Sequence, residues 1–255
     1  MNNWIYSNTF GTLLAVLAIG CFPLSAGAGC DDEPSPGVNW AGCDKRGVDL
    51  SGMDLSGAVL TRANLENANF SGSRLSHADL NLATLTKAKF DKSRMIGARL
   101  IGINAQGASF HKAVLDDASL SRSILNSAVF SQARLRRASF YESSLENADF
   151  AGANLEAARL ERAKLFATRF EGARLASANL EAADAETASF TNAVLVKAKL
   201  DNAVLREADF SNADLSKASL REANIDDAIF DNAQLSDTIW VQYQRCRSGS
   251  VGECR

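Results

Sequence analysis

The 255-residue sequence predicts an all-β solenoid in which one coil consumes twenty residues. Three observations carry that expectation. A bulky apolar residue recurs at every fifth position, phenylalanine recurs at every twentieth, and no insertion or deletion breaks either series between Arg46 and Trp240.

The five-residue period comes first. Bulky residues stand at Leu50, Leu55, Leu60, Leu65 and Phe70 and continue in step to Ile225, Phe230, Leu235 and Trp240, with Ala105 and Ala185 the only small members. Two positions before each stands a small residue, nearly always alanine, as at Ala58, Ala63 and Ala68. Its substitutes are mostly Ser or Thr, such as Ser73, Ser93 and Thr168, and near Ala105 the bulk has moved to Ile103. Thirty-nine such units fit between Arg46 and Trp240. A period of five matches neither a helix, at 3.6 residues per turn, nor a flat strand, at 2. The chain must turn the same way once per unit, with one bulky and one small side chain pointing inward.

The twenty-residue period sets the number of sides. Phe70, Phe90, Phe110, Phe130, Phe150, Phe170, Phe190, Phe210 and Phe230 recur without a gap, while Phe140 and Phe166 alone fall outside the series within the repeats. Twenty residues are four units, so a coil has four sides and one interior wall carries a ladder of rings. Stacked aromatic pairs add about 0.5–1.5 kcal/mol each beyond their buried area.

The units Ala63-Asn64-Leu65-Glu66-Asn67, Ala148-Asp149-Phe150-Ala151-Gly152 and Ala213-Asp214-Leu215-Ser216-Lys217 resemble the A(D/N)LXX consensus of pentapeptide-repeat proteins over about three quarters of the chain. The resemblance implies a right-handed quadrilateral β-helix, with the central Leu/Phe and the preceding small residue inside. At about 4.8 Å per coil, about ten coils give a rod roughly 45–50 Å long.

The segments outside the repeats divide the chain further. Residues 1–28 read as a signal peptide: an uncharged, mostly apolar run from Gly11 to Leu24 precedes Ala26-Gly27-Ala28, an A-x-A cleavage site. The run falls short of the about 20 residues of a membrane span. A competing reading lipidates Cys21, although Ala18 stands where such sites carry a large aliphatic; a third leaves the segment uncleaved as an anchor. Met1 to Phe10 holds no Lys or Arg, which departs from the usual signal pattern. Residues 29–45 and 241–255 read as terminal caps around a repeat body at 46–240. Four cysteines remain after cleavage, Cys30 and Cys43 before the repeats and Cys246 and Cys254 after them, and none lies between. A rod holds its ends apart, so the expected disulfides are Cys30–Cys43 and Cys246–Cys254, in an oxidising compartment. Trp40 and Trp240 are the expected plugs over the terminal coils, which need covering.

Chemistry is sparse. His77 and His111 fall on different sides nearly two coils apart, too far to share a metal, and no CxxC is present. No glycine-rich phosphate loop or G-x-S-x-G elbow appears, so no catalytic, cofactor or metal residues are assigned. Gly52, Gly57, Gly97, Gly102 and Gly107 stand at corners, where turn-tolerant residues belong. Asp116-Asp117 and Asp226-Asp227 are read as solvated corner charges. Outward-facing Ile96, Ile101, Val114, Ile124, Val129 and Phe166 are dispersed. An unbroken prism supplies no loop from which to build a pocket.

Charge is uneven. Arg46 to Phe140 carries 13 Lys/Arg against 7 Asp/Glu, and Tyr141 to Trp240 carries 10 against 18, so a basic half precedes an acidic one. The basic half includes Lys87, Lys89, Lys92, Arg94, Arg99, Arg134, Arg136 and Arg137. The net charge of −3 disfavours nucleic acid as a partner. The expectation is therefore a non-catalytic structural or protein-interaction module of the cell envelope, in the periplasm or outside the cell, with a protein partner and a membrane link only through a lipidated Cys21. A thylakoid lumen would suit the leader equally. The alternative is a DNA mimic acting on an enzyme such as gyrase, which the family resemblance brings in and which the acidic half would serve. An enzyme ranks last.

Overall fold

The computed structural model describes residues 29–255; the expected signal peptide and Cys21 lie outside them. The described chain is a parallel β-solenoid. Its bridges join each outward residue to the one twenty positions on, from Asn39↔Val59 through to Ser219↔Ile239. One coil is thus four pentapeptides.

Within a unit the bulky residue opens a four-residue turn. Its carbonyl accepts the N–H of the small residue three positions on, as in Ala58 to Leu55 at 3.0 Å. The second residue after the bulky one always has positive φ, at each of the thirty-nine positions from Gly47 to Asp237. Positive φ at the third turn residue is the type II signature, which favours Gly or Asn. Yet only nine of these positions are glycine. The rest include Leu82 (φ 60°) and the β-branched Thr187 (φ 57°). The left-handed conformation costs an ordinary residue about 1–2 kcal/mol, and it persists because hydrogen bonds from the turn and from the next coil over-determine it. Thr187 adds a buried hydroxyl with no partner. T187N is therefore expected to raise stability by about 1 kcal/mol, read as a higher midpoint in urea unfolding; an unchanged or lower midpoint would refute the strain.

Backbone accounting explains the D/N of the repeat. The bulky residue's N–H bonds to the next coil, as Leu55 to Arg74 O at 2.7 Å; so does the positive-φ residue's, as Gly57 to Ser76 O at 2.9 Å. The bridged residue's N–H points to the previous coil, as Arg74 to Met53 O at 2.9 Å. Only the N–H of the residue directly after the bulky one is left over. In fourteen units the Asp or Asn two positions earlier accepts it, for example Ser51 N to Asp49 Oδ1 and Ala151 N to Asp149 Oδ1. This is the local side-chain bond for which Asx residues are favoured in turns.

The all-β expectation is met in part. Each side spends two residues on a turn, which leaves a single bridged residue and no extended strand.

The interior is lined by the predicted columns, with Leu55 to Leu220 and Ala58 to Ala218 almost fully buried. The nine phenylalanines form one column with ring centroids 4.7–5.1 Å apart and interplanar angles of 1–11°. That spacing follows the backbone ladder and exceeds the optimal carbon contact of about 3.5–4.0 Å, so the rings are inclined and offset, the favoured geometry. Phe140 sits edge-on to Phe130 and Phe150, 5.6 Å from each. Where Ser or Thr replaces the small alanine, its hydroxyl donates to a turn carbonyl: Ser73 to Phe70 O, Ser123 to Leu100 O, Ser143 to Leu120 O and Thr168 to Leu145 O, all at 2.7–2.8 Å. Ser93 Oγ is buried without a partner.

Both ends are covered. Cys30 and Cys43 are bonded to each other, and so are Cys246 and Cys254. Trp40 is buried in the first coil; its Nε1 donates to Asp32 O at 3.2 Å, and Lys45 Nζ lies 4.5 Å from the ring centroid. Trp240 packs edge-on against Phe230 at 5.0 Å. The final segment runs antiparallel over the last coil, pairing Ile239↔Arg245 and Gln234↔Val251.

Candidate interaction surface

With the interior filled, chemistry is confined to the outward positions of the four walls. All twelve ion pairs among the described residues use arginine and none uses lysine. Seven join residues twenty apart, one coil above the other, such as Asp117–Arg137 at 2.7 Å, Glu186–Arg206 at 2.8 Å and Asp201–Arg221 at 2.5 Å. The fixed guanidinium fork suits a bidentate grip across one rung better than an ammonium does.

Two aspartates are more than surface charges. Asp116 is buried, accepting the Arg136 N–H at 3.1 Å and pairing with Arg134 at 2.8 Å, which corrects its reading as a solvated corner charge. Asp201, also buried, accepts from the Ser219 hydroxyl and from the backbone and guanidinium of Arg221. Burial pushes the Asp201 pKa upward, but the bonds from Arg221 and Ser219 outweigh it and hold the carboxyl below its ordinary value. Asp54 is lowered by the Ser56 hydroxyl and Asp117 by Arg137. A carboxyl depressed by folding stabilises the fold above its unfolded pKa, near 4, and that contribution is lost as pH falls through the folded value. The melting temperature is expected to stay flat from about pH 8 to 5 and to fall below about pH 4. A decline beginning near pH 6 would implicate other groups.

The sequence-predicted polar residues do not converge. His77 is exposed at a corner, with Gly97 directly beside its ring, where an added Cβ would lie 2.8 Å from Nδ1. His111 lies on another corner, and its Nδ1 is 2.9 Å from Ser131 Oγ. That serine–histidine contact was not anticipated; the twenty-residue period was the signal, since it stacks the two side chains. It lacks a third group to orient the ring and lies beside a wide, open depression lined by Ser71, Gly72, Asp91, Lys92, His111 and Lys112. No group of three metal-binding side chains occurs among the described residues. Of the outward apolar residues, Ile101, Ile124 and Phe166 are exposed, whereas Ile96, Val114 and Val129 are half-buried. Among the described residues the cysteines and tryptophans stand at the two ends and the nine ladder phenylalanines inside, so none of these lines a cleft.

A family model of pentapeptide repeats matches in eight copies, over residues 43–81, 63–100, 93–132, 128–165, 168–206 and 203–239. No curated protein matches the chain significantly. Among solved structures, the chain is similar to HetL, a pentapeptide repeat protein involved in heterocyst differentiation regulation in the cyanobacterium Nostoc. The two are 26% identical over 79% of this chain and 92% of that one, with a TM-score of 0.47. QnrB1, a plasmid-mediated fluoroquinolone resistance protein, is 16% identical over 76% of this chain and 90% of its own, with a TM-score of 0.43. A pentapeptide repeat protein from the Arabidopsis thaliana thylakoid lumen is 26% identical over 59% of this chain and 70% of its own, with a TM-score of 0.20. The family model spans nearly all of the coiled region whose turns, bridges and inward columns have just been described, and the chain belongs to the pentapeptide repeat family.

Proposed function

We propose that this protein is an exported, non-catalytic structural or interaction module of the cell envelope, a right-handed rod of about ten coils closed by a disulfide-bonded cap at each end. One observation carries the reading: thirty-nine units run without an insertion, so the outer walls are continuous faces and not clefts. A face of this kind recognises another macromolecule by shape and charge, and a catalytic site has no loop on which to assemble. Export is supported by the leader-like residues 1–28 and by the restriction of the remaining cysteines to the two caps. Cell fractionation with intact-mass analysis tests the reading. The expected result is a chain beginning at Gly29, in the envelope fraction, with no alkylatable thiol. Intact Met1 in the cytoplasm with every cysteine alkylatable would overturn it.

A second reading, a DNA mimic that acts on a DNA-binding enzyme such as gyrase, draws on the acidic segment from Tyr141 to Trp240. The basic half and the leader count against it. It requires the chain from Gly29 onward to inhibit gyrase supercoiling at a stoichiometric dose, and absence of inhibition removes it.

A further inference from the structure

The outer surface of the wall that carries the phenylalanine ladder is divided by charge. On two adjacent coils stand Lys87, Lys89, Lys92 and Lys112, all exposed and none in an ion pair among the described residues, with Asp91 the only acid between them. Six coils further along the same wall stand Glu207, Asp209, Asp226, Asp227 and Asp231, likewise without ion pairs. The only base beside them, Arg206, is engaged by Glu186. The two patches are roughly 29 Å apart at about 4.8 Å per coil.

We propose that this wall is a self-association surface, on which a second copy of the chain lies antiparallel with its acidic patch over the lysines of the first. The argument is charge complementarity combined with symmetry. A closed two-fold contact must be self-complementary. For two rods lying face to face and antiparallel, the axis lies in the interface and crosses the rods, so each column meets itself with its order reversed. An axis between the coils of Asp149 and Arg169 sets Asp149 opposite the second copy's Arg169, and the reverse, near the centre; Arg169 is already engaged by Glu171 at 3.3 Å, so the free charges of the contact lie at its two ends. The same axis sets Lys87 opposite Asp227, Lys89 between Asp209 and Asp231 around Ile229, and Lys92 beside Asp231. Phe166, 45% exposed on this wall, falls half a coil from the axis, and Ile229, also 45% exposed, falls among the lysines. Asp91 opposite Asp231 is the one mismatch, with Lys89 and Lys92 on either side.

The strip is roughly 34 Å long and, with two of five residues spent on a turn, narrower than the roughly 17 Å of an extended pentapeptide, hence less than about 600 Å² per copy. That is less than the about 800 Å² per partner of a standard stable interface. Association is therefore modest and dominated by charges that salt screens. Sedimentation of the mature protein at low ionic strength is expected to show a monomer–dimer equilibrium that stops at two. The apparent Kd should rise at least about tenfold in about 0.5 M salt, where the Debye length is only a few ångströms.

Two charge-reversed variants supply the specificity. K87E/K89E/K92E/K112E and E207K/D226K/D227K/D231K should each be monomeric at low salt, and their mixture should restore a dimer; circular dichroism checks that each keeps its fold. An oxidised mixture of K87C and D227C should give a covalent dimer at the mass of two chains. The proposal fails if the native protein is monomeric at low salt, if it grows open-ended by stacking its ends, or if reversal leaves the dimer unchanged. It fails also if K87C and D227C do not cross-link.

Discussion

Replacing Phe150 by alanine is expected to destabilise the folded chain by about 3–5 kcal/mol. The ring stacks on Phe130 at 4.7 Å and on Phe170 at 5.1 Å, and Phe140 meets it edge-on at 5.6 Å. All four are fully buried, so the vacated volume cannot fill with water or relax outward. The backbone ladder fixes the coil spacing, which prevents the neighbouring rings from closing the gap. Leucine is the control: the same column opens with the buried Leu50, so the wall accepts that shape, and F150L should cost no more than about 1.5 kcal/mol. Because each coil touches only its neighbours, the alanine variant is also expected to divide the unfolding transition near the middle of the rod. Urea titration by circular dichroism reads both effects. A loss below about 1 kcal/mol in F150A would mean that the ladder is not a continuous stabilising element.

The second large effect concerns the C-terminal cap. Cys246 and Cys254 close a short loop, with a sequence separation of 8, and restricting so short a loop in the unfolded chain is worth about 2–3 kcal/mol. C246S/C254S should lose that much in the stability of the last coils. Truncation after Trp240 goes further. It removes the strand-like segment whose residues cover the final coil, where Leu235 N–H reaches Ser250 O at 2.9 Å and Trp240 N–H reaches Gln244 O at 2.7 Å. An open parallel edge is a template for another chain, so the truncated protein should elongate into end-to-end assemblies, whereas the full chain should not. Light scattering during concentration separates the outcomes; a truncated chain that stays monomeric would show that the segment is dispensable as a cover.

Much of this molecule was readable before any coordinates. A side chain repeating every five residues can point inward only if the backbone turns once per unit, and phenylalanine repeating every twenty can stack only if four units make a coil. Leu50 to Leu235 and the nine phenylalanines follow from counting. So does the division into basic and acidic halves. What counting missed is whatever depends on a neighbour one coil away. Thirty non-glycine residues hold positive φ because bonds from adjacent coils enforce it, and no local propensity would place Leu82 or Thr187 there. Asp116 and Asp201 look like ordinary corner charges in the sequence, but the coil above buries them under arginines. Ser131 and His111 met for the same reason.

The sequence by itself determined the period, the inward columns and the position of the cysteines at the two ends, because those depend only on the order of residues along the chain. The tertiary structure alone decided which surface charges are spent on each other and which stay free. Arginines reach the carboxylates of the next rung, while Lys164 and Lys217 form no ion pair with the aspartates twenty residues on, Asp184 and Asp237, and that choice rests on side-chain reach and geometry across a gap of about 4.8 Å that no linear reading contains.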